Sequence, residues 1–174
     1  MTATLSGCVV VFTNLPADTK HTGVDKRLLG RWAGQDEQGN RGFIGFDLVA
    51  NNEIDVSILG EKSDLGYKNP VFRMATTEID NHDYMFLRAA DSPPSEGSVI
   101  ARYAIENGRL TIWILSVDKV KQAIENGKLK GAAGGGPFGG LTITNTSEQV
   151  SALLKSADSK ALFVCLGEFQ KVPV

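Results

Sequence analysis

Few residues in this chain could carry acid-base or nucleophilic chemistry. The 174 residues include two histidines, His21 and His82, and two cysteines. His21 lies in a polar stretch without a hydrophobic period, so a catalytic constellation would have to be assembled around His82. Cys165 lies in an apolar run, residues 161–166, where a thiolate is disfavoured and a thiol packs as a small hydrophobe. The sequence therefore predicts no catalytic centre, and a hydrolase that uses His82 is the enzymatic alternative.

Two acidic stretches could in principle bind a metal ion or supply paired carboxylates. Residues 80–83 read Asp-Asn-His-Asp, and Asp36 and Glu37 are adjacent. A metal site needs three or four convergent ligands, whereas a tight turn collects the same residue types. Asp36 and Glu37 lie in a polar stretch that is typical of a solvated hairpin loop. We predict no metal site and no cofactor, with a hydrolase built on paired carboxylates as a second form of the enzymatic alternative.

A glycine-rich stretch over residues 131–140 has the composition of a phosphate-binding loop. It lacks the Gly-Lys-Ser/Thr ending of such a loop, and no helix N-terminus is predicted after it. We therefore predict a flexible loop between a helix and a strand.

Short apolar alternations separated by turn signals dominate the chain from residue 27 onward. Apolar residues alternate with polar ones over residues 44–48 and 54–58, so each run predicts a strand with one dry face. Further strands are predicted over residues 71–79, 84–89, 99–105 and 110–115. Asn107 and Gly108 readily adopt the positive φ angles of a type I′ turn, which predicts a tight hairpin between the last two strands.

The apolar period then changes from two to about 3.6 residues, which indicates helix. Ser116 is a cap for a helix that ends at Gly127. Thr146 and Gln149 form a capping box for a second helix, and residues 161–170 return to strand. The predicted fold is mainly β: an antiparallel barrel or strongly curved meander of about eight strands, with two short helices before the last strand.

Length and charge exclude several classes of protein. Lys and Arg number 18 against 20 Asp and Glu, a formal net charge of −2. Without an excess of positive charge to neutralise phosphates, nucleic acid is not an expected partner. The longest apolar run, residues 161–166, is far shorter than the ~18 residues of a membrane-spanning helix. A chain of this length closes one core without a disulfide framework, so we expect a single domain over residues 27–174.

The N-terminal residues Leu5, Ser6, Gly7 and Cys8 form a recognisable motif. A branched apolar residue, two small residues and a cysteine resemble the lipobox of bacterial lipoproteins. The resemblance implies that Cys8 carries a diacylglycerol group and becomes the first residue of the mature protein. Val9 in the next position implies the outer membrane, facing the periplasm. Seven residues precede Cys8, so the rest of a signal peptide would be encoded upstream of this chain, unless the match arises by chance.

Residues 1–26 are accordingly interpreted as a lipobox remnant followed by a flexible tether. Pro16 and the polar residues after it argue against a long strand in this segment. The alternative is a short apolar strand that carries a buried Cys8, in a protein without a lipid anchor that resides in the cytoplasm.

Gly30 and Trp32 carry a second resemblance. The segment Leu-Leu-Gly-Arg-Trp at residues 28–32 resembles the Gly-x-Trp signature that opens the first strand of lipocalins and related small ligand-binding barrels. The resemblance implies that Gly30 permits a tight bend and that Trp32 plugs one end of the barrel. Phe163 or Leu166, from the last strand, is then the expected neighbour of the Trp32 indole.

The function that follows is a binding module. Lipocalins close their last strand with an Arg, where this chain has Gln170 and Lys171. A small barrel can enclose one apolar ligand or be filled by its own side chains, and the sequence leaves both open. We expect a lipid-anchored cell-envelope protein, a non-enzymatic binding or envelope-maintenance module whose partners are a membrane and a small hydrophobic ligand. The alternative is a soluble intracellular β domain.

Overall fold

The computed structural model describes residues 9–17, 23–35, 41–49, 53–60, 72–134 and 140–173. Its strands are β1 (Val9–Phe12), β2 (Gly30–Gln35), β3 (Arg41–Val49), β4 (Glu53–Gly60), β5 (Phe72–Ile79), β6 (His82–Ala89), β7 (Val99–Glu106), β8 (Arg109–Leu115), β9 (Gly131–Ala133), β10 (Gly140–Ile143) and β11 (Phe163–Lys171). Its helices are α1 (Val117–Glu125), α2 (Ser147–Lys155) and the short α3 (Ser159–Leu162). No helix within these ranges has the length and hydropathy needed to cross a lipid bilayer.

Eight strands close into an antiparallel barrel in the order β11-β2-β3-β4-β5-β6-β7-β8. The strands β2 to β8 follow one another along the chain. The last strand, β11, closes the barrel by pairing with β8 on one side and with β2 on the other. All three helices lie in the connection between β8 and β11. The prediction of a mainly β, lipocalin-like antiparallel barrel is therefore confirmed.

Two tight turns set the register of neighbouring barrel strands. Asn107 and Gly108 join β7 to β8 with φ angles of 51° and 75°, and Asp80 and Asn81 join β5 to β6 with 50° and 60°. Positive φ at both central residues is the geometry of a type I′ turn, whose twist matches that of the flanking strands. The predicted hairpin at Asn107 and Gly108 is confirmed, and the turn expected at residues 80–83 forms at Asp80 and Asn81, with His82 and Asp83 already in β6.

The barrel wall formed by β6 and β7 is buried on both of its faces. Met85 and Ala101 point into the barrel and belong to its inner hydrophobic cluster. Tyr84, Phe86 and Ile100, which alternate with them, belong to an outer cluster with β1, β10, α1 and α2. This second layer explains why residues 84–87 of β6 and 99–101 of β7 are continuously apolar instead of alternating.

Residues 9–17 do not form the flexible tether that was expected over residues 1–26. Val9–Phe12 is strand β1, which pairs in parallel with β10 in a three-stranded sheet of order β1-β10-β9. Val10, Val11 and Phe12 are buried, and Phe12 exchanges two backbone hydrogen bonds with Ser98 at 2.8 and 2.9 Å. Burial of this apolar run lowers the free energy of the folded chain, so the run packs as part of the second layer. For residues 9–12 the short-strand interpretation is the correct one.

Two glycines allow β1 to lie close to its neighbours. Gly140 has a φ of 98°, and a Cβ at that position would overlap the backbone of Val9. Gly97 has a φ of 90°, and a Cβ there would lie 2.7 Å from the carbonyl oxygen of Phe12. Both positions therefore require a residue without a side chain.

The glycine-rich stretch is not a loop throughout, contrary to the prediction. Its two ends, β9 and β10, pair antiparallel, and residues 135–139 between them lie outside the described part of the chain. Strand pairing supplies backbone partners that the composition alone did not indicate.

Both predicted helices are confirmed. Ser116 caps α1, and Gly127 follows it with a φ of 70°. Thr146 and Gln149 form the complete capping box at the start of α2. The additional helix α3 occupies residues where a strand was expected from residue 161, and β11 begins only at Phe163.

Candidate functional site

Trp32 packs inside the barrel near the end at which β2 begins, which we call the closed end. Its side chain is 0% exposed, and its Nε1 donates a hydrogen bond to the carbonyl oxygen of Leu28 at 2.7 Å. Gly30 begins β2 with a φ of 109°, a conformation that favours glycine. The predicted burial of Trp32 is confirmed, but its predicted neighbours are wrong. Phe163 packs in the outer cluster, and Leu166 is 45% exposed.

A β-bulge in β11 explains why Phe163 does not reach Trp32. The pairing register with β8 shifts between Cys165 and Gly167. One extra residue reverses the face on which later side chains lie. Phe163 therefore packs outside the barrel, with its ring centroid 6.3 Å from that of Tyr84, whereas Phe169 packs against the inner cluster.

Lys171 completes the closed end. Its backbone pairs with Trp32 across the β2–β11 seam, and its ammonium lies 5.1 Å from the centroid of the indole. Its Nζ also donates a hydrogen bond to the carbonyl oxygen of Arg27 at 3.0 Å. Lys171 thus supplies a cation over the face of the Trp32 ring.

A network of charged and phenolic groups ties the segment before β2 to the barrel wall. Arg27 donates to Asp25 at 2.7 Å and to Asp83 at 2.8 Å. The hydroxyl of Tyr103 donates to the carboxylate of Asp25 at 2.8 Å. Sequence reasoning missed this network because Asp25 was assigned to the tether and its partner Tyr103 is 78 residues away.

The network shifts the ionisation of its members. Burial raises the pKa of Asp25, but the hydrogen bonds from Arg27 and Tyr103 together outweigh it, so this pKa lies below its ordinary value. Burial, followed by the hydrogen bond to Asp25, raises the pKa of the Tyr103 hydroxyl. Asp25 is therefore ionised and Tyr103 protonated at neutral pH, which is the combination that the hydrogen bond between them requires.

An apolar cavity of about 110 Å³ lies inside the barrel. Thirteen of the described residues line it, and each of these thirteen is apolar. Met85, Ala101 and Ile112 form part of its wall, and none of the lining side chains titrates. The side chains of the described residues therefore leave part of the barrel interior unfilled.

The cavity opens to water at one side. Ile58 and Leu166 both line it and are 43% and 45% exposed. We call these two residues the mouth of the cavity. Trp32 is not among the lining residues, so the cavity lies away from the closed end.

The other candidate residues do not lie on the cavity. His82 is half-buried at the start of β6 and does not line it. Cys165, which was expected to be buried, is exposed because it lies at the bulge and pairs with Trp113 of the outer face. Among the described residues, no group of three His, Cys, Asp or Glu side chains is placed to hold a metal ion. Leu5, Ser6, Gly7, Cys8, His21, Asp36 and Glu37 lie outside the described residues.

Two of the larger depressions, of about 560 and 600 Å³, are lined by polar and apolar residues of the strand ends. Both include Arg109 and Glu168, whose ion pair at 3.1 Å is more than half exposed. Exposed ion pairs of this kind contribute little to stability, because water solvates both charges. The apolar cavity is the better candidate for a binding site, since ligand sites are predominantly apolar.

No family model, curated protein or solved structure matches this chain. The functional assignment therefore depends on the chemistry of the cavity.

The Asp25 network generates a test of the closed end. Because the pKa of Asp25 is lowered on folding, its contribution to stability is complete above its unfolded pKa and is lost as the pH falls through its folded value. Asp25→Asn should reduce the free energy of unfolding at pH 7 by ~1–3 kcal/mol, the usual worth of hydrogen bonds to a charged group. The deficit should shrink below about pH 4, where the wild-type carboxylate is protonated in the unfolded chain.

Denaturant midpoints at pH 7 and pH 3 measure this difference. Glu168→Gln, which removes the exposed ion pair with Arg109, serves as the control and should change stability by less than ~1 kcal/mol. An Asp25→Asn deficit that is equal at both pH values would contradict the role given to the Asp25 carboxylate.

Proposed function

We propose that this protein is a non-enzymatic binding module that holds a small apolar molecule, or the end of a hydrocarbon chain, inside its barrel. The observation that carries this proposal is the cavity lined by thirteen apolar residues. Ligand sites are concave and predominantly apolar, and small barrels are a recurrent place for them.

The lining and the volume of the cavity favour ligands that are apolar and small. A polar group inside it would lose its hydrogen bonds to water without replacement, at a cost of several kcal/mol. Its volume of about 110 Å³ is somewhat less than the ~150 Å³ of an apolar cavity that stays dry and binds benzene. A single ring or a short stretch of alkyl chain therefore fits, and the driving force is burial of its surface at ~25 cal/mol per Å².

The residues that line the cavity are suited to binding and not to catalysis. A catalytic group must lie within hydrogen-bond reach of the reacting atom, and the lining residues carry no acid, base or nucleophile. His82, the residue on which a hydrolase would depend, lies elsewhere on β6.

The same proposal places the protein in the bacterial cell envelope, anchored through a lipid on Cys8. Its support is the sequence Leu5-Ser6-Gly7-Cys8 and its likeness to a lipobox. Strand β1 begins one residue after Cys8, so an anchored protein would have its folded part directly at the membrane surface, without a long tether. A cytoplasmic protein without an anchor is the competing interpretation.

Filling the cavity tests the binding proposal. Ala101 is 1% exposed and lines the cavity, so Ala101→Leu places additional carbon atoms in the ligand's space. We expect fluorobenzene, titrated by fluorine NMR, to bind the variant at least about tenfold more weakly, a loss of about 1.4 kcal/mol. Ala104→Leu, on the outward face of the same strand, is the matched control and should leave binding unchanged. Equal affinities in all three proteins would contradict the cavity as the site.

The anchor is tested by replacing its attachment residue. When the gene is expressed in a bacterial host from an upstream start, the protein should fractionate with membranes and carry a diacylglycerol mass on Cys8. Cys8→Ser should release it to the soluble fraction, whereas Cys165→Ser, at the other cysteine, should not. An N-terminus found by mass spectrometry to be uncut and unmodified would eliminate the anchor.

A further inference from the structure

The depression of about 600 Å³ lies on the outer face of the barrel, across strands β7, β8 and β11. β8 forms its centre and pairs with β7 on one side and with β11 on the other. We call this depression the outer groove, and its lining includes Glu106, Arg109, Thr111, Trp113, Glu168 and Gln170.

The outer groove is separate from the apolar cavity. Ile112 and Ile114 of β8 line the cavity, whereas Thr111 and Trp113, which alternate with them, line the groove. Successive side chains of a strand point to opposite faces of the sheet. The two sites therefore lie on opposite sides of the same barrel wall.

The strand register sets the dimensions of the groove. Thr111 pairs with Ala104 on β7 and with Glu168 on β11, so these three residues form a row across its middle. Trp113 lies on one side of this row and Arg109 on the other. With strands ~4.8 Å apart and ~3.4 Å per residue, the floor is about 10 Å wide and about 13 Å long. This is the scale of two linked six-membered rings.

Trp113 supplies an aromatic surface at one end of the groove. Arg102, its pairing partner on β7, places its guanidinium carbon 4.6 Å from the centroid of the indole. The same carbon lies 5.8 Å from the centroid of the Phe163 ring. A guanidinium stacked on an aromatic ring is attracted to it, so Arg102 holds the indole in place from one side.

The polar lining offers both donors and acceptors of hydrogen bonds. The carboxylates of Glu106 and Glu168 accept, the guanidinium of Arg109 donates, and Thr111 and Gln170 can do both. A hydroxyl group also donates and accepts. A ligand with many hydroxyl groups therefore finds a partner for each role along the groove.

The charges and backbone pairing of the groove disfavour other classes of ligand. Its lining carries two carboxylates and one guanidinium, and Arg109 already pairs with Glu168 at 3.1 Å, so a nucleic-acid backbone finds no excess of cations. An organic cation would compete with Arg102 for the Trp113 ring. An extended peptide adds to a free sheet edge, but β8 is paired on both sides.

We propose that the outer groove binds an uncharged oligosaccharide, with one sugar ring packed against Trp113 and its neighbour hydrogen-bonded to Arg109, Glu168 and Gln170. The C–H face of a sugar ring is apolar, so packing on the indole removes both surfaces from water. The ion pair between Arg109 and Glu168 holds a donor and an acceptor side by side before the ligand arrives. This lowers the entropy that is lost on binding.

Acrylamide quenching of tryptophan fluorescence tests this site directly. The chain has two tryptophans, and Trp32 is 0% exposed, so quenching reports mainly on Trp113. We expect at least one of cellotriose, maltotriose, chitotriose and mannotriose to protect Trp113 from quenching in a saturable manner. Trp113→Phe should abolish the change in fluorescence.

Two variants on β7 separate the groove from the cavity. Ala104→Leu fills the middle of the outer groove, whereas Ala101→Leu fills the cavity. Ala104→Leu should weaken oligosaccharide binding at least about tenfold, and Ala101→Leu should leave it unchanged. Fluorobenzene should show the opposite dependence. Ala104 is half-buried on the outer face, so the denaturant midpoint of Ala104→Leu should stay near that of the parent.

The outcomes decide this inference without deciding the binding proposal for the cavity. Protection by none of the four oligosaccharides, or equal oligosaccharide affinities of the parent and Ala104→Leu, overturns the inference. Protection of Trp113 by hexaglutamate or tetramethylammonium, but by no oligosaccharide, would show a charged ligand and would also overturn it. Fluorobenzene binding in the same preparation leaves the apolar site standing in each case.

Discussion

The closing seam between β2 and β11 is the constraint on which the rest of the molecule depends. A sheet of seven meander strands has two free edges until the last strand pairs with both. The seam is short: β11 pairs with β2 only through Phe169, Gln170 and Lys171, extended by a hydrogen bond from the Val172 N–H to the Arg31 carbonyl at 2.9 Å. Side chains therefore have to reinforce it.

That reinforcement comes from packing around Trp32. Lys171 of β11 lies over the indole, and Phe169, two residues earlier on the same strand, packs close to Gly34 of β2. A Cβ on Gly34 would come within 2.5 Å of the Phe169 ring, so the absence of a side chain there is what admits the aromatic ring. Closing the barrel tightly at this end leaves the unfilled space at the other, where Ile58 and Leu166 stand at the mouth. The asymmetry of the barrel is thus a consequence of how it closes.

Features that arise from residues close in sequence were predictable. The Asn107-Gly108 turn, the Ser116 cap and the Thr146 capping box each depend on a few neighbouring residues, and all three form as expected. The buried Trp32 was also predictable, from its place in a two-residue motif. These elements, with the alternating strands, were enough to predict the barrel.

Features that depend on distant pairings were not predictable. Strand β1 exists because Val9–Phe12 meets Gly140–Ile143 about 130 residues later, and no local pattern encodes that partner. The β11 bulge places Phe163 and Phe169 on opposite faces of the sheet. The expected contact between Phe163 and Trp32 therefore does not form. The volume of the cavity is the volume that the barrel encloses minus the volume that its inward side chains fill. Amino-acid composition gives neither of these volumes.

Xenon binding shows whether the barrel contains a dry apolar space below its mouth. Crystals of the protein exposed to xenon gas should show a xenon atom in contact with Met85, Ala101 and Ile112, with none beside Trp32. A barrel in which these side chains have closed the space, with no xenon inside, would contradict the account.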